Sequence, residues 1–502
     1  MPKAPGERPP LRGDSSLRVR VKRIVVTGNS AFTAQELLPL VDDAVGKTLT
    51  FDELQALAAR ITQYYRTRGY LLAHAYIPAQ DVTEGTLEIA VLEGRYGKVR
   101  LDNRSGLSDT ALNWALAPLE SGQVVQSESL ERQLLLMSDL PGAAVTSTLK
   151  PGDSTGTSDL DVRVTSASAL SGSVGFDNWG NRYTGSSRGF VAADWANPLG
   201  LGDRISLYGM GAERDGTEYE RVAYDLPTNG AGTRVGAAVA HLLYSLGLDF
   251  AALQAHGSAD IMSLYLNHPV VRSYTTNANF QLNYDHRTLH DYVDSSTSHD
   301  SKHLDVFSAG FDGNRLSAQG AGNWRIAIAG GHVGLDDLTA SLDQAGYRTA
   351  GNYYKTTGSG SDLLPLTGRW SLYGALSGQL ASKNLDMSEK FPMGGPSGVR
   401  AYPVGEAMSD DAWIATFELR YSMTEQLQLD AFADGGGSRL NHTPLPTDAR
   451  NQRSLSGVGL GATWVSHSRF SLLTYLAWRT GEAPTSAPDR HPTAWIQAAQ
   501  GF

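Results

Sequence analysis

Arg400 and Tyr402 stand among small residues in the stretch Gly394-Gly395-Pro396-Ser397-Gly398-Val399-Arg400-Ala401-Tyr402-Pro403-Val404-Gly405-Glu406. Gly and Pro on both sides make this a loop whose backbone can approach another surface closely. Downstream, Phe432-Ala433-Asp434-Gly435-Gly436 supplies a carboxylate. A guanidinium and a carboxylate form a directional two-point contact, so the chemistry on offer is positioning rather than bond-making. Catalysis finds no support. The chain has no Cys, and His241, His256, His268, His286 and His290 lie at no metal-ligand spacing. Gly394 to Gly398 leads into a Pro-interrupted loop instead of a helix N-terminus, which a phosphate-binding loop requires. No enzyme activity, catalytic residue, metal or cofactor is expected.

The elements that hold these residues alternate with a period of two. Trp413, Ala415, Phe417, Leu419 and Tyr421 oppose Thr416, Glu418, Arg420 and Ser422. From Leu427, Leu429, Ala431 and Ala433 share one face and Gln428, Asp430, Phe432 and Asp434 the other. Asn277, Asn279, Gln281, Asn283 and Asp285 against Ala278, Phe280, Leu282 and Tyr284 show the same pattern, as does Arg369 to Leu380. Helix signals are absent beyond about Ala169, and residues 169–502 have room for roughly sixteen strands of barrel length. Trp195, Trp324, Trp370, Trp413, Trp464, Trp478 and Trp495 fall where interfacial girdles need aromatic rings. Asp294 to Ser301 and Gly436 to Gln452 read as exposed loops, and Asn197-Pro198-Leu199-Gly200 as a tight turn.

Bulk composition agrees with a membrane barrel. The 502 residues carry a formal charge of −10, which argues against a general nucleic-acid binder. No apolar run reaches the length of a transmembrane helix, a criterion that does not apply to barrels.

The N-terminal third reads differently. Residues 1–16 have the composition of a disordered lead, with no apolar segment of a secretory signal, so an exported chain needs a signal upstream or already removed. Val19, Val21, Ile24 and Val26 form a strand ended by Gly28-Asn29. Thr33 to Val45 has helical spacing, and Thr50-Phe51-Asp52-Glu53 is a capping box for a helix carrying Leu54, Leu57, Ala58, Ile61, Tyr64 and Tyr65, closed by Gly69. Strands follow over Leu71 to Ile77 and Thr86 to Leu92. The β-α-α-β-β order then recurs, with strands at Gly97 to Leu101, Ala143 to Leu149 and Leu160 to Val164 and helices at Ser108 to Leu119 and Ser127 to Leu140.

These residues resemble the POTRA-bearing outer-membrane barrels, and within them the two-partner secretion transporters of the hemolysin secretion/activation type. The resemblance rests on Val25 to Asn29, Tyr65 to Leu71 and Leu92-Glu93-Gly94. In the second repeat it rests on Leu140-Pro141-Gly142, Pro151-Gly152 and Gly156 to Leu160. In the barrel it rests on Asn197 to Asp203 and Glu418 to Tyr421. Gly398, Val399, Arg400, Ala401 and Tyr402 look like the family's pore-loop signature, and Phe432, Asp434 and Gly436 like its partner motif on the inner wall. Two departures stand out. Ala401 replaces the family's usual Gly, and residues 1–16 are too short for the plug helix common in the family. The terminal Phe502 fits its preference for an aromatic.

The resemblance implies POTRA domains over 17–95 and 96–166, then a transmembrane antiparallel barrel over 167–502 with a pore-inserted loop around 391–411. Asp434 and Arg400 would then meet in the lumen, with Glu418 and Arg420 extending the network. It implies a bacterial outer-membrane location with periplasmic POTRA domains, and a monomeric pore that conducts a large, β-rich secreted partner in the unfolded state. Strand addition is the expected mode of capture. Tyr64 and Tyr65 and the strand residues Leu71, Leu72, Ala73 and Tyr76 are the candidate contacts. A barrel-assembly factor of the same superfamily and a passive porin or adhesin are the alternatives.

Overall fold

The computed structural model describes residues 18–448 and 450–502. The lead expected over 1–16 lies outside the described residues. The chain forms two compact units that divide between Ala167 and Ser168.

The first unit begins with β1 (Arg18–Arg20), β2 (Arg23–Thr27), α1 (Ala34–Leu37), β3 (Thr48–Thr50), α2 (Phe51–Thr67), β4 (His74–Tyr76) and β5 (Thr86–Leu92). β5 is central, parallel to β2 and antiparallel to β4, while β1 and β3 form a separate ribbon. Helix α2 starts at a reciprocal cap. The Thr50 N–H donates to Glu53 at 2.7 Å and the Glu53 N–H returns to the Thr50 hydroxyl at 3.4 Å. Leu54, Leu57, Ala58, Ile61 and Tyr65 recur on one face of this helix and pack on Ile24, Val26, Leu87 and Ile89. The helix expected over Thr33 to Val45 is a single α turn followed by 3-10 turns at Leu38–Leu40 and Asp42–Ala44. Pro39 lacks the N–H needed to continue it. The strand expected over Leu71 to Ile77 shrinks to β4, because Leu71 and Leu72 lie in the turn where the Ala73 N–H reaches the Tyr70 carbonyl at 3.0 Å.

The topology repeats in β6 (Arg95–Arg104), α3 (Asp109–Leu116), α4 (Ser127–Ser138), β7 (Ala143–Pro151) and β8 (Thr157–Ser166). Here β8 is central, parallel to β6 and antiparallel to β7. Glu93 joins the two halves. Its carboxylate is 3% exposed and accepts from the Ala31 N–H at 2.7 Å, the Tyr65 hydroxyl at 2.9 Å, Arg95 Nη2 at 3.1 Å, and the Ser30 N–H and hydroxyl. Arg95 also donates to the Gly122 carbonyl at 2.9 Å. Leu72 packs on the second core, and the Gly69 carbonyl accepts from the Ser127 N–H and hydroxyl. Burial opposes ionisation of Glu93, but donation from Ala31, Ser30 and Tyr65 outweighs it and leaves the carboxyl below its ordinary pKa.

The second unit is a closed barrel of sixteen antiparallel strands in which Thr493–Gly501 returns to Leu170–Asp177. Short connections such as 197–203 and 466–469 cluster at one end; the long ones, 336–350, 382–410, 440–451 and 480–492, cluster at the other. Connection 336–350 carries a helix, Asp337–Ala345, where the sequence leads one to expect none; its start is capped by the Asp336 carboxylate accepting from the Thr339 N–H. Val239, Leu264, Phe307, Ile328, Phe417 and Leu460 are exposed on the outer face, as lipid contact demands. Trp195, Trp324, Trp370, Trp413, Trp464 and Trp478 are also exposed there. Trp495 departs from the expected girdle. It points inward and is 7% exposed.

The polar segment Asp294 to Ser301 is not an extended loop. Only a turn at Asp294–Ser296 separates Thr276–Val293 from Ser298–Ser317, and the register pairs Asp291 with Asp300. Polar residues paired across a ladder retain their backbone hydrogen bonds in water as well as in lipid. These strands, of 18 and 20 residues, exceed the roughly 9–11 that cross a bilayer and so continue past the apolar band.

Replacing Glu93 with Gln is expected to destabilise a fragment of residues 18–167 by about 2 kcal/mol, because charge-assisted bonds are lost around a buried group. Because the folded pKa is depressed, the contribution of Glu93 is fully present above its unfolded value of about 4.3 and is lost as pH falls through the folded value. Urea unfolding of both proteins between neutral and acid pH measures this, and the gap between them should narrow on acidification.

Candidate functional site

Residues 382–410 link the strands Trp370–Ala381 and Asp411–Ser422 and fold inward against the barrel wall. The loop braces itself before it meets the wall. The Gly395 N–H donates to the Tyr402 carbonyl at 3.0 Å, the Val399 N–H to the Met393 carbonyl at 2.8 Å, and Phe391 and Ser409 exchange bonds at 2.7 and 3.0 Å. Met393, Val399 and Tyr402 are fully buried and pack with Ile414, Phe432 and Leu455.

At the tip, Arg400 is 3% exposed. Its Nε and Nη2 donate to the two Asp434 oxygens at 2.9 and 2.8 Å, and its backbone N–H adds a third bond at 3.1 Å. Nη1 donates to Glu418 at 2.7 Å. The other Glu418 oxygen accepts from Arg420 Nε at 2.7 Å, and Arg420 lies 4.0 Å over the Tyr373 ring. The Arg400 guanidinium rests 3.5 Å over Phe432 and 4.7 Å from the Tyr475 ring centre. Thr416 donates to Asp434 at 3.0 Å. Strand parity explains the convergence. On Asp411–Ser422 and Leu427–Arg439 the register pairs Thr416 with Asp434 and Glu418 with Phe432, all on the inner face.

Ala401 does not occupy a left-handed conformation; the positive φ angles of this loop belong to Gly395, Gly405 and Ala407, at 106°, 90° and 52°. Its methyl group faces Gly457, which pairs with Asp434, and a Cβ at Gly457 would collide with it. The wall therefore supplies the space that a glycine in the loop would otherwise leave. Gly436 has a similar role, since a Cβ there would meet the Met393 methyl at 2.8 Å. Gly398 lies against the Met393 carbonyl. The Tyr402 hydroxyl donates to the Glu482 carbonyl at 2.7 Å.

Sequence patterning leaves several participants unrecognised. Trp495 Nε1 donates to the Arg400 carbonyl at 2.7 Å, and Thr493 to that of Ala401 at 3.3 Å. Parity within Thr493–Gly501, where Ala494 and Ile496 face out, is the signal that separates Trp495 from the girdle. Beside the tip, a cavity of about 460 Å³ is lined by Arg325, Ser359, Ser361, Tyr373, Ser377 and Arg420, among others. Among the described residues no group of His, Asp and Glu has a metal-binding arrangement.

The residues expected to contact a partner divide into two sets. Tyr65 and Ala73 are fully buried, which removes them from any contact surface. Tyr65 is held by Glu93 and by the rings of Phe32 and Tyr70. Leu72 is turned onto the second core. Tyr64 is half-buried beneath Arg68, 3.5 Å over its ring. Leu71 and Tyr76 are exposed, at 46% and 43%.

Two β-α-α-β-β units ahead of a closed sixteen-stranded barrel with an internal loop define the POTRA-bearing class of outer-membrane barrels. Residues 156–464 match the model of the haemolysin secretion/activation proteins ShlB/FhaC/HecB, and residues 19–94 match the ShlB-type POTRA domain. The chain belongs to this family. It is 26% identical over 464 residues to the heme/hemopexin transporter protein HuxB of Haemophilus influenzae strain 86-028NP, covering 90% of this chain and 81% of that protein. It is also 26% identical over 416 residues to the outer membrane transporter CdiB of Escherichia coli O6:K15:H31, covering 80% and 69%. The solved structure of CdiB from Escherichia coli superposes with a TM-score of 0.79 at 23% identity, over 100% of this chain and 93% of that one. The protein is an outer-membrane transporter of a secreted partner protein, with its POTRA domains in the periplasm.

Truncating Arg400 to Ala leaves Asp434 and Glu418 buried without their shared cation, a loss of the order of 3–5 kcal/mol for loop docking. The expected outcome is a barrel that still migrates as a folded species on unheated gels while partner export falls at least tenfold. Export at the wild-type level would remove Arg400 from the transport machinery.

Proposed function

We propose that this transporter captures a large, β-rich partner in the unfolded state by strand addition to a POTRA sheet and passes it through the barrel lumen beside the loop carrying Arg400. The observation that carries this reading is the placement of Arg400 between Asp434 and Glu418 inside a closed barrel. It fixes one segment in the lumen while leaving a cavity of mixed polar and apolar lining alongside it. Ser359, Ser361 and Ser377 place hydroxyls on the cavity wall, where they can exchange hydrogen bonds with a passing chain. In this reading Gly398 to Tyr402 form the pore-loop motif, Phe432, Asp434 and Gly436 its seat, and Glu418 and Arg420 the surrounding network.

Capture has support in the exposed edges. β7 borders its sheet on one side only and offers nine residues, whereas the outward N–H of the three-residue β4, at Ala75, is already taken by the Thr62 hydroxyl. Unpaired N–H and C=O groups along such an edge accept an extended chain. Near β4, Tyr64, Leu71 and Tyr76 supply apolar contacts at the surface. The domain division is 17–95 and 96–166 for the POTRA domains and 167–502 for the barrel. The barrel works as a monomer in lipid, since a closed ring needs no second copy to satisfy its strands.

Surface labelling of cells with and without the transporter tests the direction of transport: a large secreted protein should reach the surface only when the transporter is present. Deleting residues 17–166 should abolish that export while the barrel still conducts ions in planar bilayers. Unchanged export by the deletion variant would exclude capture by the POTRA domains.

A further inference from the structure

Beyond the Arg400 contacts, the same loop is held a second time, by groups that the pore-loop signature does not include. Glu406 is fully buried. Its carboxylate accepts from the Thr485 N–H at 3.0 Å, the Thr485 hydroxyl at 3.0 Å, the Ser486 N–H at 2.9 Å and the Ser486 hydroxyl at 2.6 Å. Arg453 Nη2 stands 2.9 Å away. Arg453 is itself fixed to the same connection, donating to Glu482 at 3.0 Å, to the Thr485 hydroxyl at 2.8 Å and to the Ala483 carbonyl at 2.9 Å. Tyr402 reaches the Glu482 carbonyl, as described above. The connection 480–492 thus grips the loop at Tyr402 and Glu406, on a side different from the Asp434 seat.

We propose that Glu406 and Arg453 are positioning residues of a second latch, through which the connection 480–492 clamps the pore loop, so that the loop leaves the lumen only when this clamp releases it. Withdrawing Glu406 alone would strand two backbone N–H groups and the Ser486 hydroxyl and would take from Arg453, 5% exposed at its side chain, one of the two carboxylates that pair with it. The loop must therefore carry the connection with it or wait for it to open. Arg400 fixes the depth of the tip, while Glu406 couples the tip to the outer mouth. The inference rests on the reading that the partner passes through the lumen beside or in place of the loop.

The test uses the full chain in cells that supply its partner. Because the protein contains no Cys, Glu406→Cys combined with Ser486→Cys introduces the only thiols, and a short, reducible bis-methanethiosulfonate reagent bridges them. Bridging is expected to stop export, reductant to return it to the level of the unbridged double variant, and the reagent to leave each single-Cys variant at its own untreated level. Wild-type export by a population shown on gels to be bridged overturns the clamp. Absence of export from the untreated wild-type chain overturns the transport reading itself, and this inference with it. In planar bilayers, Glu406→Gln should open about tenfold more often than wild type, corresponding to ~1.4 kcal/mol. An unchanged opening frequency in a correctly folded Glu406→Gln barrel also overturns the proposal.

Discussion

The guanidinium of Arg400 is the constraint on which the rest of the lumen depends. A cation with so little exposure is tolerable only where every donor finds an acceptor, and this one meets two carboxylates and two aromatic faces. Supplying them fixes much else. Asp434 and Glu418 must lie on adjacent strands with the same parity, Phe432 must follow the same inward face, and the residue beside Asp434 across the next ladder must be small enough to admit the loop. Gly457 is that residue. A register slip of one residue on Leu427–Arg439 would turn Asp434 to lipid and Ala433 to Arg400. Barrel register and loop docking are therefore one problem.

The barrel was legible because its signal is repetitive. Alternation over Thr276–Val293, Asp411–Ser422 and Leu427–Arg439 states which residues face the lumen without knowledge of their neighbours. The same logic brings Glu418, Arg420 and Asp434 to one surface. Patterning loses its hold where periodicity is broken. Pro39 ends a helix that apolar spacing alone would continue, and the polar run Asp294 to Ser301 is half hairpin turn and half strand, beyond the apolar band where polarity no longer marks a loop. Tyr65 illustrates a different failure. A tyrosine on an amphipathic helix is equally at home on a surface or in a core, and the buried acceptor that decides for the core, Glu93, lies on the far side of the fold in sequence.

Trp495 and Glu406 show why the site was less legible than the fold. A loop's partners are chosen by tertiary approach, not by a period, and both residues act across separations of about eighty to ninety-five positions. Trp495 resembles any interfacial tryptophan until its strand parity is read, and Glu406 resembles a solvated loop acid until Thr485 and Ser486 are placed beside it. The substitution of Ala401 for the family's usual glycine becomes intelligible in the same way. The backbone there does not use the left-handed region, so what matters is the volume opposite, and Gly457 provides it.

The loop is held by charges as well as by the apolar packing of Met393, Val399 and Tyr402, and the charged part has a thermodynamic consequence. An apolar plug of similar area would gain free energy from every Å² withdrawn from water and would resist displacement in proportion. Ionic contacts behave otherwise, because water solvates the separated groups and the net difference between paired and hydrated states is small compared with either term. Removing one partner leaves the other stranded and is costly; separating both into a wet channel is not. Arg400 with Asp434 and Glu418, Glu406 with Arg453, Glu389 with Arg287 and Lys355, and Lys390 with Asp410 share this property along the loop. Such a loop holds one position firmly against single perturbations, yet it can yield to a polypeptide that hydrates or replaces its partners together. A barrel that must remain closed at rest and pass a chain on demand needs both properties, and ion pairs in a water-accessible lumen provide them where an apolar seal would provide only the first.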